Sequence, residues 1–166
     1  MIRPQSMARG ALLCALAIGA ACHHRGARGA APPPAPDSLS GTVLVTGSSP
    51  EERLVLRSGA LAVYLTTSVA DAAALKRLSG VQLLVRGRSD ATVFTVTDFT
   101  VTHVDSAPAL DGVLRTDGSR LEIETRTGRV ALGNPSAALR ALVGARVWIT
   151  GPPQTGPLVY GVISLP

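Results

Sequence analysis

The hydrophobic positions of this chain follow two spacings, one typical of β-strands and one typical of α-helices. From residue 39 onward, runs rich in Val, Leu, Thr and Tyr alternate apolar with polar positions and are separated by Gly, Ser and Asp. Alternation with period two is typical of strands that bury one face. It predicts strands over residues 41–46, 53–58, 60–67, 81–87 and 92–104, and again over 110–116, 120–125, 129–133, 145–151 and 156–165. The fold class is therefore predicted to be mainly β.

Two short stretches break this alternation and predict helices. In the first, Leu75 and Leu78 form an i, i+3 apolar stripe, and Gly80 is placed to end the helix. Ser68 is the predicted N-cap, with Asp71 completing a capping box.

The second helix repeats this pattern with different end residues. Leu139 and Leu142 form its apolar stripe, and Gly144 is placed to end the helix. Asn134 followed by Pro135 predicts an N-cap and a first helical residue.

The same order of elements occurs twice. The offsets between the copies are 71 residues for 39–43, 67 for 54–57 and 64 for 73–80. A duplicated unit keeps its element order while its loops shorten. We therefore predict a first repeat over residues 39–105 and a second over residues 106–166.

Each repeat is predicted to run β-β-β-α-β-β. This order, and the helix-to-strand segment over residues 73–87 in particular, resembles the OB-fold, a small five-stranded barrel with a helix after its third strand. The resemblance implies two tandem small OB-like β-barrels. One barrel or sandwich intertwined from both repeats is the alternative.

The first 21 residues have a different character. Arg3 and Arg9 precede an uncharged, mostly apolar run over residues 10–21, and small residues stand before Cys22. This arrangement resembles a bacterial lipoprotein leader over residues 1–21, which implies that Cys22 is the lipid attachment site. Cleavage by a secretory peptidase after Gly19 is the alternative, and would release a soluble secreted or periplasmic protein.

A tether is predicted over residues 22–38. Its Pro-, Ala-, Gly- and Arg-rich composition suits a semi-extended linker better than a packed core. His23 and His24 lie in it without further ligands, so no metal site is predicted. With Cys14 removed in the leader and Cys22 acylated, no free thiol remains.

The net charge of +5 overstates the basic character of the folded part. From residue 38 onward there are 12 basic and 10 acidic side chains, a net charge of +2. A broad electrostatic footprint for nucleic acid is therefore not predicted, and a nucleic-acid partner is not expected.

Candidate catalytic chemistry is sparse in the sequence. It contains neither a phosphate-binding loop motif nor a nucleophile-elbow motif. His103 is interpreted as a linker residue between the repeats. Glu122 and Glu124 are assigned to the exposed face of a strand, and Asp98 to a β-bulge. No enzymatic activity, cofactor or metal is predicted.

Aromatic side chains supply the candidate binding residues. Tyr64 and Arg57 fall on the second and third strands of the first repeat, where OB-type ligand faces lie. Trp148 points away from its own repeat's core, as does its counterpart Leu84, which favours packing between the repeats over ligand binding.

These features predict a non-enzymatic binding or scaffolding protein of the bacterial cell envelope. It would be held on the periplasmic side of a membrane by lipid on Cys22 and would bind a protein or polysaccharide partner. The alternative is an OB-type ligand binder for oligosaccharide or single-stranded nucleic acid.

Overall fold

Ten strands and two short helices make up residues 37–90 and 92–166, the part of the chain that the computed structural model describes. The elements are β1 (Asp37–Thr46), β2 (Arg53–Ser58), β3 (Leu61–Thr66), α1 (Val69–Arg77), β4 (Gln82–Asp90), β5 (Val93–Val104), β6 (Ala107–Asp117), β7 (Arg120–Thr125), β8 (Gly128–Leu132), α2 (Ala137–Arg140), β9 (Arg146–Thr150) and β10 (Val159–Ser164). The mainly β class is confirmed. The elements follow the order β-β-β-α-β-β twice.

The strands of the first half pair in a closed circuit. β1 pairs with β2 through its second part and with β4 through its first part. β2 pairs with β3, β4 pairs with β5, and β3 pairs with β5 in parallel. The circuit therefore runs β1–β2–β3–β5–β4 and returns to β1.

The second half has the same pairing order without the closing ladder. β6 pairs with β7 and β9, β7 with β8, and β9 with β10. Within residues 92–166 no ladder joins β8 to β10. Instead, the backbone N–H of Gly133 donates to the carbonyl oxygen of Pro153 at 2.8 Å.

A hairpin between β5 and β6 connects the halves. His103 lies opposite Pro108 and Val104 opposite Ala107. Asp105 and Ser106 form the two-residue turn, with φ angles of 47° and 67° that match the twist of a tight hairpin. His103 is thus a strand residue, and its assignment to a linker was wrong. The other ladders of the described residues stay within one half, and the β5–β6 hairpin joins all ten strands into one hydrogen-bonded sheet.

Positions related by the sequence offsets make the same local contacts. A Cβ atom on Gly41 would overlap the carbonyl oxygen of Arg57, and a Cβ atom on Gly112 would overlap that of Glu124. Gly80 N–H donates to Val43 at 2.8 Å, just as Gly144 N–H donates to Leu114 at 2.8 Å. These glycines allow the first strand of each half to lie close to its neighbours.

The two helices differ in length because the second begins one turn later. The Ser68 hydroxyl caps α1 by accepting from the N–H of Asp71 at 3.2 Å, as predicted. In α2 the cap is Ser136, whose hydroxyl accepts from the N–H of Leu139 at 3.2 Å. The prediction of Asn134 as the cap was wrong. The backbone is still extended at Ser136, with φ of −61° and ψ of 159°, so the helix begins only after this residue.

Two hydrophobic clusters fill the interior. The larger joins buried residues of β1 to β5 and α1 with Ile163 of β10. The smaller is built from β6 to β9 and α2, and includes Leu114, Ile123 and Ile149. The second half therefore contributes to both clusters. Neither helix of the described residues is long and apolar enough to span a membrane.

Candidate functional site

Tyr64 is the aromatic side chain most open to solvent on the sheet of the first half. It lies in β3 opposite Val55 of β2 and is 45% exposed. Because side chains alternate along a strand, Arg53 and Arg57 share the face of Val55. The guanidinium carbon of Arg53 lies 5.7 Å from the centre of the Tyr64 ring, within cation–π range.

A groove of about 550 Å³ adjoins this tyrosine. Its lining comes from the segment before and within β2, from β3, from α1 and from the start of β5: Glu52, Arg53, Leu54, Tyr64, Leu65, Thr66, Thr67, Ala72, Lys76 and Val93. The volume falls within the range of small-molecule sites. The mixture of one aromatic ring, charges and hydroxyl groups suits a polar ligand with an apolar face.

A second depression of about 470 Å³ lies against the loop between β1 and β2. Arg53 and Tyr64 line both depressions. Arg57, the predicted partner of Tyr64, is exposed on the same strand face and lines neither. Arg53 therefore occupies the place that the sequence interpretation gave to Arg57. The alternation of Arg53, Val55 and Arg57 was the signal that could have identified it.

Two polar pairs border the groove. Lys76 Nζ of α1 donates to Glu52 Oε2 at 2.7 Å. The hydroxyls of Thr66 and Thr95 lie 3.2 Å apart across the parallel ladder. The ammonium and carboxylate of the first pair neutralise each other, which leaves Arg53 as the uncompensated charge beside the ring. The groove can stack one flat group and hydrogen-bond to hydroxyls around it.

Other residues considered from sequence have structural partners. Glu124 lies on the partly exposed face of β7 as predicted, and accepts hydrogen bonds from Arg115 at 2.9 Å and Arg129 at 3.4 Å. These contacts, the Arg115 hydrogen bond foremost, hold the pKa of the Glu124 carboxyl below its ordinary value. Asp98 lies at a bulge, because Arg86 is opposite Asp98 whereas Gly87 is opposite Val96. The bulge assignment is confirmed.

Trp148 packs against the hydrophobic cluster of the first half, and the prediction of packing between the repeats is confirmed. Its ring also covers Gly161, where a Cβ atom would meet indole atoms at 2.5–2.6 Å. Cys22, the predicted lipid attachment site, lies outside the described residues, as do His23 and His24.

Residues 37–90 and 92–166 contain no group of three or more His, Cys, Asp or Glu side chains arranged to hold a metal ion. Comparisons with protein-family models, curated proteins and solved structures found no match to this chain.

Proposed function

We propose that this chain is a lipid-anchored, non-enzymatic protein of the bacterial cell envelope that binds an oligosaccharide in the groove beside Tyr64. The half-exposed Tyr64 ring, flanked by Arg53 and bordered by threonine hydroxyls and the Glu52–Lys76 pair, is the observation that carries the binding proposal. A pyranose ring has one apolar face that can stack on an aromatic side chain, and hydroxyls at its rim that pair with such polar groups.

The balance of charges favours a sugar over single-stranded nucleic acid. Nucleic-acid grooves combine several stacking aromatics with a basic track along the backbone. This groove has one aromatic ring, and its Lys76 is paired with Glu52. Its lining residues carry two positive charges and one negative charge, which is a weak attraction for a polyanion.

We further propose that the first half is an OB-type barrel and the second half an open counterpart of it. The circuit β1–β2–β3–β5–β4, with its parallel β3–β5 ladder, supports this assignment. It would place the groove on the second and third strands, the surface that OB-folds use for oligosaccharides and oligonucleotides.

The anchoring proposal depends on the sequence around Cys22. A basic N-terminus, an apolar run and small residues before Cys22 support acylation at this cysteine. Several acyl chains would hold the protein at a membrane more firmly than a single chain. The residues that follow, up to residue 38, would separate the folded part from the lipid.

Titration with glycans tests the binding proposal. The full chain would be titrated with a peptidoglycan-derived disaccharide, cellohexaose, laminarihexaose and the oligonucleotide dT10. We expect one of the sugars to bind. Tyr64→Ala should weaken the binding of that sugar at least about fivefold, since stacking on one aromatic ring contributes about 1–3 kcal/mol in nucleic-acid complexes. Leu61→Ala, on the same strand but outside the groove lining, is the control that should bind normally. Equal binding by Tyr64→Ala, or a preference for dT10, would contradict the proposal.

Mass spectrometry of the mature protein tests the anchor separately. We expect an N-terminal Cys22 carrying acyl chains, and release of Cys22→Ser into the soluble fraction. A mature N-terminus after residue 22, or one without lipid, would contradict anchoring without affecting the binding proposal.

A further inference from the structure

A second groove lies where the two halves meet. One part, of about 300 Å³, is lined by residues of β5, β6, β7 and β9 and of the turn after β7: Asp98, Thr100, Asp111, Gly112, Val113, Glu124, Thr125, Arg126 and Arg146. A second part, of about 250 Å³, shares Thr100, Asp111, Thr125 and Arg126 with the first and reaches Arg86 of β4. Three arginines from separate elements therefore face one continuous groove.

Arg146 already has a structural role in this groove. Its Nε and Nη2 each donate to Asp111 at 2.8 Å, and Nη2 also donates to the carbonyl oxygen of Phe99 at 2.5 Å. The Phe99 ring lies 4.5 Å from its guanidinium carbon. Arg146 and Asp111 cancel each other's charge, so this pair joins the halves and contributes little attraction for a ligand.

Arg86 and Arg126 are arranged differently, because both approach one oxygen of one carboxylate. Arg126 Nη2 donates to Asp98 Oδ2, and Arg86 Nη1 lies 3.5 Å from the same oxygen. A guanidinium has five N–H donors, so a single carboxylate oxygen leaves most of the donors of two arginines for other acceptors. Two positive charges face one negative charge, which leaves a net charge of +1 at this point.

Two buried donor atoms that the structure describes in the same groove make no hydrogen bond, although one of them, Arg86 Nη1, lies 3.5 Å from Asp98 Oδ2. Among residues 37–90 and 92–166, neither Arg86 Nη1 nor the Thr100 hydroxyl has a hydrogen-bond partner, although both atoms are buried. Buried polar atoms in folded proteins are nearly always hydrogen-bonded, and a charged donor is the costliest to leave unpaired. An acceptor-rich group placed beside Asp98 would satisfy Arg86, Thr100 and Arg126 together.

We propose that this groove binds a phosphate group, free or as part of a larger molecule, through Arg86, Thr100 and Arg126. A tetrahedral phosphate offers separate oxygens to donors that come from three different elements, and arginine is well suited to phosphate. The lining of the two parts together carries three positive and three negative charges, so the attraction for an anion is local to the Arg86–Asp98–Arg126 cluster. This site does not depend on the sugar groove at Tyr64.

Titration of the full chain with inorganic phosphate at constant ionic strength tests the site. We expect saturable changes in the backbone amide NMR signals of Thr100, Thr125 and Arg126, and weaker binding of acetate, which has two oxygens. Arg126→Gln should weaken phosphate binding at least about tenfold, because hydrogen bonds between charged groups are stronger than those between neutral groups. Thr100→Val should also weaken phosphate binding about tenfold, because its hydroxyl would donate to a charged phosphate oxygen.

Arg120→Gln is the matched control, since Arg120 is an exposed arginine of β7 outside the groove lining. It should bind phosphate as the wild type does. Arg126 is also exposed enough that its replacement should leave the fold intact, which the unperturbed amide signals of the hydrophobic clusters would verify. No saturable shift at Thr100 and Arg126, or equal weakening by Arg120→Gln and Arg126→Gln, would overturn the proposal.

Discussion

Arg146 binds Asp111 through two parallel hydrogen bonds of 2.8 Å, one from Nε to Oδ1 and one from Nη2 to Oδ2. The Asp111 carboxylate also accepts the backbone N–H of Val101 at 2.7 Å, and Arg146 donates to the carbonyl oxygen of Phe99. One ion pair of the second half thus holds two backbone groups of β5 in the first half. The Asp111 side chain is only 2% exposed, so this contact is a buried one.

Asp111→Ala should destabilise the protein by about 3–5 kcal/mol, the cost of removing one member of a buried ion pair. The change leaves the Arg146 guanidinium and the Val101 N–H without their acceptor. Urea unfolding followed by circular dichroism measures the loss. Asp117→Ala, at the exposed end of β6, should stay within about 0.5 kcal/mol of the wild type. A loss for Asp111→Ala as small as that of Asp117→Ala would show that the pair contributes no net stability.

The cap of the second helix can be tested by replacing Ser136 and, two residues before it, Asn134. Ser136→Ala should cost about 1 kcal/mol, because the Leu139 N–H loses its acceptor, and Ser68→Ala should cost a similar amount in the first helix. Asn134→Ala should change the free energy of unfolding by less than about 0.5 kcal/mol, since Asn134 does not cap the helix. The reverse order of the Asn134 and Ser136 effects would restore the original assignment of the cap.

The two glycines at the crowded strand positions should respond alike to a methyl group. Gly41→Ala and Gly112→Ala would each press a Cβ atom onto a neighbouring carbonyl oxygen, which should cost about 1–3 kcal/mol or more. Gly118→Ala is a useful comparison, because open space surrounds Gly118 and only its left-handed backbone, with φ of 58°, opposes a side chain. That strain alone costs roughly 1–2 kcal/mol. Thermal unfolding of the three variants measures their losses of stability. An unchanged unfolding temperature for alanine at either Gly41 or Gly112 would contradict the shared geometry.

Lowering the pH should weaken the contribution of Glu124 to the stability of the folded protein. Its folded-state pKa lies below the unfolded value, mainly because of the Arg115 hydrogen bond. Its stabilising effect is therefore complete above the ordinary glutamate pKa of about 4.3 and is lost as the pH falls through the lower folded pKa. Arg115→Gln should raise the pKa of Glu124 toward the ordinary value, as followed by carboxyl ¹³C NMR. An unchanged titration in that variant would assign the shift to Arg129 instead.

Much of the secondary structure was accessible from sequence because its causes are local. The bounds of β2 and β7 coincide with those predicted, since the apolar run of β2 and the alternation of β7 both end at turn residues. Ser68 caps α1 because the hydroxyl and the N–H that it accepts from are three residues apart. The cap of α2 was missed because Asn134 and Ser136 both suit a cap, and only the extended backbone at Ser136 shows where the helix begins.

The candidate sites were only partly accessible from sequence. Tyr64 was identified from its strand and its aromatic ring, whereas Arg53 required the arrangement of strand and loop that brings its guanidinium over that ring. Arg86, Asp98 and Arg126 come from β4, β5 and the turn after β7, and no spacing along the chain indicates that they meet. Arg86 is 12 residues from Asp98 and lies opposite it in the β4–β5 ladder, whereas Arg126 is 28 residues away, a separation that carries no periodic signal.

Local patterns along the chain were sufficient to infer the mainly β class, the repeated order of elements and the outward position of Trp148, because alternation, capping and glycine stops act over a few residues. The three-dimensional structure was needed to show that, apart from the β5–β6 hairpin, the ladders of the described residues stay within one half. It also showed that Asp111 and Arg146 join the halves and that two arginines converge on Asp98. Those contacts join residues that are far apart in the chain, and local patterns act over too few residues to predict them.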